Sequence, residues 1–362
     1  MIFIEKDKLP QQLLNRLIRL AAFQNPEFYK AQAMRFSVWD KPRFISCAEN
    51  CEDYIALPRG CLEAVQQLLE DNSIPITNEE KRALGERIQV SFTGTLRPEQ
   101  EEALKAMLSF DTGILHAPTA SGKTVIAAAL ISERKVSTLI LVHRSELKKQ
   151  WEERLKTFLS PTEGILGKKG KLSFKVDVLL FQSLVKQEDR KEVLDRYGMV
   201  IVDECHHLGA FSFELLLKQV KAKYVVGLTA TPIRRDGKHP IVTMQLGPIR
   251  HVVKRSSAQE MRMVVFTKTI RMTGISDGLP IQEVFKRLAL DKERNRMIAE
   301  DVKEACREGR NILVLSQRCE HLLVLSQELE MINQECFVLY GRMGIILRGR
   351  SSPTPLSASH LP

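Results

Sequence analysis

Apolar and polar positions follow two periods along this chain. Between positions 11 and 23 the apolar side chains recur at helical spacing (Leu13, Leu14, Leu17, Ile18, Leu20, Phe23), so a helix with one core-facing side is predicted there. Two short β-like runs follow, 43–47 and 53–57, and Pro58-Arg59-Gly60 turns the chain into a helix through Leu69. Turn formers fill 71–78, and a charged helix and a strand over 88–92 are expected after them. The middle of the chain is different: Thr138-Leu139-Ile140-Leu141-Val142 is a continuous apolar run, and the apolar-leaning Gly113-Ile114-Leu115-His116, Val176 to Phe181 with Asp177 inside it, Met199-Val200-Ile201-Val202 and Tyr224 to Leu228 are further runs. Runs of this kind mark strands buried on both faces of a parallel sheet, so the fold class is α/β.

Later in the chain, 311–316 predicts a strand, the segment through Leu329 a helix, and 336–341 a second strand. Leu-Val-Leu-Ser-Gln occurs at 313 and again at 323, and context makes the first a strand and the second a helix. From 346 onward Arg, Ser, Pro and Gly dominate, and a disordered low-complexity tail is expected. The resulting division is a small N-terminal α+β domain at 1–85, a parallel-sheet domain at 86–255, a linker at 256–284, a partial second α/β lobe at 285–345 and the tail at 346–362.

Composition narrows the partners. The 362 residues are 44% hydrophobic and 27% charged, as in an ordinary globular protein, and the formal charge of +10 favours an acidic partner such as nucleic acid. The N-terminal apolar run is too short for a signal peptide and no run reaches membrane-spanning length, so no membrane partner and a cytoplasmic location are expected. Seven scattered cysteines do not make a disulfide framework, and Cys47, Cys51 and Cys61 lack an obvious fourth ligand for zinc. Phe28, Tyr29, Lys30, Arg35, Trp39, Lys41 and Arg43 read equally as a DNA-contacting set or as core aromatics beside a solvated basic face.

The chemistry centres on Ala117-Pro118-Thr119-Ala120-Ser121-Gly122-Lys123-Thr124, a tight loop between a strand and a helix. Such a loop turns backbone N–H groups inward, and the helix start presents positive charge to the same anion. Lys123 would reach the β and γ phosphates of ATP and Thr124 would ligate Mg²⁺. Alanine opens the loop where glycine is usual, and its small size makes it a tolerated variant. Arg97 and Gln100, at the start of the preceding helix, are the further nucleotide-binding candidates, Gln100 for the adenine edge. Asp203, at the tip of a strand expected beside the loop's strand, would hold Mg²⁺ through water, and Glu204 would orient and deprotonate the attacking water. His206 and His207 follow and fit hydrogen bonding to neighbouring motifs better than zinc. Thr229 and Thr231 carry hydroxyls able to reach those carboxylates and relay phosphate occupancy. Arg144, Gln182 and Ser183, at the ends of two other strands, are the candidate nucleic-acid contacts.

In order and spacing these segments resemble the motifs of superfamily 2 helicases: Leu-Arg-Pro-Glu-Gln at 96, the phosphate loop, Leu141-Val142-His143-Arg144, Asp203-Glu204-Cys205-His206 and Leu228-Thr229-Ala230-Thr231-Pro232. The likeness covers about 90–345 and is to the DEAD/DEAH-like, DECH-type branch that holds XPB-type repair helicases and the motor subunits of restriction enzymes. It implies a RecA-like nucleotide-binding lobe, a partial second RecA-like lobe, and an ATP-dependent DNA helicase or translocase using ATP and Mg²⁺. It also implies that Lys123, Asp203 and Glu204 drive hydrolysis and that Thr229 and Thr231 couple it to movement. The N-terminal domain resembles the accessory domain that precedes the motor in some XPB-like proteins. No Gln-x-x-Gly-Arg-x-x-Arg follows, and Arg342 sits in the wrong place for an arginine finger, so a C-terminally truncated product, impaired in duplex unwinding, is expected. The alternatives are a non-motor nucleotide- or DNA-binding remnant, a motor component of a restriction or conflict-defence complex with a nuclease on another subunit, and RNA in place of DNA.

Overall fold

The computed structural model describes residues 1–7, 9–167, 171–205, 210–231, 237–253, 265, 267–269 and 279–339. The chain divides into two compact units, Met1–Met261 and Arg262–Pro362.

The first unit opens with β1 (Ile2–Glu5), α1 (Gln11–Leu20), β2 (Ala22–Gln24), α2 (Pro26–Ala33), β3 (Phe44–Ser46), β4 (Glu49–Asn50), β5 (Tyr54–Leu57) and α3 (Leu62–Asp71). β5 lies between β1 and β4, antiparallel to both, and β2 pairs antiparallel with β3. α1 is shorter than its apolar pattern predicts, because Phe23 leaves the helical track to pair with Ile45 across β2 and β3. Leu13, Leu14 and Leu17 of α1 and Val65, Leu68 and Leu69 of α3 are buried in one cluster with Ile114, Leu139, Val200 and Val225 of the central sheet. The N-terminal segment therefore shares a core with the sheet.

The charged helix expected after 78 is absent. That stretch runs extended, with Ala83 bridging Ala222 and Arg87 bridging Val136. Gly85 has φ +68°, and a Cβ there would stand 2.2 Å from the Gly198 nitrogen, so this crossing under the sheet depends on a close backbone approach that a helix cannot make. Of the strand expected over 88–92 only β6 (Ser91–Phe92) forms, paired with β9 (Leu159–Ser160).

The remaining elements are α4 (Pro98–Leu108), β7 (Thr112–His116), α5 (Lys123–Arg134), β8 (Thr138–Val142), α6 (Ser145–Phe158), β10 (Val176–Leu180), α7 (Phe181–Lys186), α8 (Arg190–Asp195), β11 (Met199–Asp203), α9 (Ala210–Leu217), β12 (Tyr224–Thr229), α10 (His239–Leu246) and β13 (Ile249–Val252). Six strands form one parallel sheet in the order β10-β8-β11-β12-β7-β13. This is the architecture of a RecA-like lobe. One expectation is corrected: β11, which carries Asp203, is not beside β7, because β12 lies between them, paired Met199↔Tyr224 on one side and Val225↔Thr112 on the other. Burial on both faces suits any interior position, so the apolar runs could not order the strands.

The second unit contains α11 (Ile281–Leu290), α12 (Lys292–Arg307) and α13 (Cys319–Met331), and the second Leu-Val-Leu-Ser-Gln copy lies in α13 as expected. Among its described residues there is no strand. The 311–316 and 336–339 segments expected as strands are unpaired, with Leu313 and Leu315 80% and 82% exposed. An apolar run becomes a strand only where flanking strands take its backbone groups. Tyr340, Gly341, Arg342 and the 346–362 tail lie outside the described residues, as does most of the expected linker.

The two parts of the first unit are joined by Arg59. Its guanidinium is buried and donates to the Ala222 carbonyl (3.0 Å) and to the Val220 carbonyl, and burial brings its pKa down to about 10. Ion pairs Lys218 to Glu49 (3.1 Å) and Lys238 to Glu27 (2.6 Å) line the same junction. Replacing Arg59 by Met should strand both carbonyls and cost about 1–3 kcal/mol. Urea unfolding of the first unit should show a lower midpoint with an unchanged slope; an unchanged midpoint would mean that the guanidinium is not what closes this junction.

Candidate nucleotide-binding site

The phosphate loop leaves β7 at Ala117 and enters α5 at Lys123. Two of its residues have left-handed backbone, Ala120 (φ +67°) and Gly122 (φ +86°); Ala117 does not. The alanine that opens the loop thus occupies a position with no need of glycine, and its methyl group is fully buried against the sheet. Its N–H donates to the Thr229 carbonyl (2.9 Å), which ties the base of the loop to the tip of β12. Gly122 is different: a Cβ there would meet Gln100 Nε2 at 2.3 Å. The Ser121 hydroxyl and N–H both donate to the Pro118 carbonyl (2.7 and 3.2 Å), closing the loop on itself, while Thr119 and Ala120 are exposed at its tip. Among the described residues no side chain caps α5; the Val125 and Ile126 N–H groups donate to the Gly122 carbonyl (2.9 and 3.1 Å), and those of Lys123 and Thr124, ahead of them, suit an anion.

Gln100 is 3% exposed. Its Oε1 accepts from the Arg97 N–H (3.0 Å) and its Nε2 donates to the Ser121 carbonyl (2.9 Å), so the amide fastens the start of α4 to the phosphate loop. Arg97 is exposed, with Glu99 3.7 Å from its guanidinium.

Across from the loop, β11 ends at Asp203, and Glu204 follows with φ +47°, a conformation disfavoured for a residue bearing a Cβ and frequent at functional sites. The turn points Glu204 at the loop: its Oε1 accepts from Lys123 Nζ at 2.5 Å, with both side chains mostly buried. Asp203 is held from both sides. Its Oδ1 accepts from the Glu204 N–H (3.0 Å) and its Oδ2 from the Trp151 indole N–H (2.8 Å). Burial raises the Asp203 pKa above the ordinary carboxylate value, while the Trp151 bond opposes that rise. Trp151, on α6, was not singled out in the sequence; its one signal is a tryptophan at helical spacing from Leu155, both facing inward, with an N–H that needs a buried partner. Cys205 is buried, and burial pushes its thiol up to about 12, so it packs as core and does not act as a nucleophile.

Thr229 is buried at the end of β12. Its hydroxyl donates to the Thr231 carbonyl (2.9 Å) and accepts from the Thr231 N–H (3.1 Å), while Thr231 is exposed. His116 Nε2 lies 3.1 Å from the Ala230 carbonyl, a second tie between the tips of β7 and β12. Arg144 occupies the N-cap position of α6 without a side-chain capping bond, and Gln182 Nε2 donates to the neighbouring His143 carbonyl (3.2 Å). Ser183 is exposed on α7. His206, His207 and Pro232 lie outside the described residues. No group of three metal-ligating side chains occurs among the described residues, and Cys47 and Cys61 are buried in the N-terminal core.

The donor set fits a magnesium nucleotide. A glycine whose side-chain space is closed, uncapped N–H groups, an ammonium and a hydroxyl suit phosphates, and two carboxylates at the opposite strand tip suit a hard divalent cation. Residues 93–234 match the family described as "Type III restriction enzyme, res subunit". The chain is 38% identical over 167 residues to the "DNA 3'-5' translocase XPB2" of Sulfurisphaera tokodaii, covering 46% of this chain and 37% of that protein. It is 29% identical over 280 residues to a provisionally named ATP-dependent RNA helicase of Acanthamoeba polyphaga mimivirus, covering 72% of this chain and 52% of that protein. The crystal structure of T4 UvsW superposes with a TM-score of 0.51 at 17% identity, covering 90% of this chain and 70% of that one, a likeness of fold. The chain thus spans about half the length, or less, of these two curated relatives.

Substituting Trp151 by Phe keeps the ring and removes the N–H. Asp203 should then hold the cation less well, with the magnesium concentration that half-saturates nucleotide binding rising about tenfold and magnesium-free nucleotide affinity little changed. Equal loss in both conditions would show that Trp151 serves packing alone. In motif order and sequence the chain is similar to XPB-like helicases of superfamily 2 over its parallel-sheet lobe.

Proposed function

We propose that the first unit binds and hydrolyses ATP with Mg²⁺ and that hydrolysis is coupled to movement on DNA. The observation that carries this reading is the Lys123 to Glu204 ion pair, which brings the phosphate loop and the β11 carboxylates into one site. Lys123 would exchange Glu204 for the β and γ phosphates when nucleotide enters. Glu204, released from the ammonium, would then accept a proton from the attacking water. Thr124, and Asp203 through water, would hold Mg²⁺, which when bound supplies charge neutralisation at the phosphates. Gln100 would keep the loop in shape through the Ser121 carbonyl, and an adenine contact by Arg97 or Gln100 belongs to the same proposal.

Coupling would run through the tip of β12, because Thr229 accepts from Ala117 at the loop base and bonds Thr231 on its other side. Arg144, Gln182 and Ser183 would meet the DNA backbone at the sheet edge. Movement also requires a second lobe that closes on the nucleotide. DNA is preferred to RNA on the translocase relative, and competition between matched DNA and RNA strands decides between them.

Two outcomes are expected. Lys123→Ala should abolish Mg·ATP binding in a calorimetric titration, and binding equal to wild type would overturn the phosphate-loop assignment. DNA affinity should fall steeply and almost independently of sequence as salt rises, because contacts to phosphates release counterions. A flat salt dependence would exclude a phosphate-tracking surface and favour a protein partner.

A further inference from the structure

The turn at the end of β12 has three consecutive carbonyls, and each has a donor. The Thr229 carbonyl accepts from the Ala117 N–H at the base of the phosphate loop (2.9 Å), and the Thr231 carbonyl accepts from the Thr229 hydroxyl (2.9 Å). Between them, the Ala230 carbonyl lies 3.1 Å from His116 Nε2. A carbonyl only accepts, so the proton of this bond sits on Nε2 and the imidazole is the donor. Two adjacent residues at the entry to the phosphate loop, His116 and Ala117, thus hold two adjacent carbonyls of the turn.

Sheet geometry explains why a side chain takes this part. His116 is the last residue of β7, in register with Thr229 of β12 and Val252 of β13, and its own carbonyl accepts from the Val253 N–H (2.8 Å). The β7 to β12 ladder closes with the Ala117 to Thr229 bond, and among the described residues the ring is the donor that reaches the next carbonyl. Of the two donors from the loop strand, one is main chain and the other is an imidazole that a substitution can remove. The turn also fixes the backbone of Thr231, whose N–H donates to the Thr229 hydroxyl (3.1 Å). The Thr231 side chain is exposed, and its hydroxyl makes no hydrogen bond among the described residues.

A fixed backbone under an exposed hydroxyl presents that hydroxyl, and what fixes it is the strand that carries the phosphate loop. We propose that His116 is a positioning residue for coupling: through the Ala230 carbonyl its imidazole makes the shape of the Thr229–Thr231 turn depend on the position of the phosphate-loop base, and so links nucleotide occupancy to DNA affinity. The inference rests on the reading that the first unit binds nucleotide and DNA, and it adds the side chain through which one site senses the other. Nucleotide that moves the base of the loop moves both donors together, and the turn follows. Without the imidazole the turn keeps one tie to the loop strand in place of two. His116 lies outside the loop motif, as a polar residue that ends an apolar strand.

The test measures the affinity of the full chain for a fluorescein-labelled single-stranded oligothymidylate, with and without a saturating non-hydrolysable ATP analogue and magnesium. The ratio of the two affinities is the coupling factor, and linkage requires the same factor when nucleotide affinity is measured with and without the strand. Wild type should show a several-fold factor. His116→Leu should bring it about fivefold toward one, the usual weight of one hydrogen bond, while each affinity measured alone stays within about twofold of wild type. His116→Gln, whose amide offers an N–H near the Nε2 position, should restore the factor, a rescue that a ring serving only as filler would not show. A factor that His116→Leu keeps, or that His116→Gln fails to restore, would overturn the assignment and leave the nucleotide and DNA readings intact. Loss of nucleotide affinity shared by both variants would overturn it in favour of a packing role. A wild-type factor of one, or no strand binding by wild type, would overturn the coupling reading itself and the part of His116 in it.

Discussion

The contact between Lys123 and Glu204 organises the nucleotide site. Lys123 begins α5 and Glu204 follows β11, and one strand, β12, separates β11 from the strand that leads into the phosphate loop. A mostly buried ammonium has to be balanced, and here the balance is the Glu204 carboxylate. The left-handed backbone at Glu204 makes this possible by turning its side chain away from the strand axis and toward the loop. Asp203, the preceding residue, is kept from following by the indole on one oxygen and the Glu204 N–H on the other. The two acids are adjacent in sequence, yet one is held by the Trp151 indole and the other by the Lys123 ammonium.

The rigidity this demands comes from the sheet and its two cores. One face of the sheet packs against α4, α5 and α6 through Met107, Ile126, Leu130 and Trp151; the other shares its core with α1 and α3 of the N-terminal segment. The tips of β7 and β12 are laced by Ala117 to Thr229 and His116 to Ala230. The N-terminal segment is therefore a structural part of the nucleotide-binding unit, joined through a buried arginine as well as through apolar contact.

Much of this was legible in the sequence because it is local. Apolar runs gave the parallel strands, and the loop motif gave the strand, tight turn and helix of the candidate phosphate site, since both depend on neighbours a few residues away. Strand order was not legible, because β11 and β12 are both apolar throughout and either could have flanked β7. The charged stretch before 88 reads as a helix by composition, and only the approach of Gly85 to Gly198, more than a hundred positions apart, makes it extended. Gln100 reads as an adenine contact by position, yet both ends of its amide are engaged with the chain itself. Trp151 carries no motif at all; its role depends on α6 lying over the tip of β11. The apolar segments at 313 and 337 pattern as strands, but strand pairing is a property of two segments and not of one.

If the ion pair is the resting balance of the site, nucleotide has to compete with Glu204 for Lys123. Calorimetric titration of Mg·ATP into wild type and Glu204→Gln measures that competition directly, because the amide keeps the shape of the side chain and removes the charge that holds the ammonium. The account predicts several-fold tighter binding by Glu204→Gln. Binding that is equal or weaker would contradict it and would mean that Lys123 is available to phosphate without leaving Glu204.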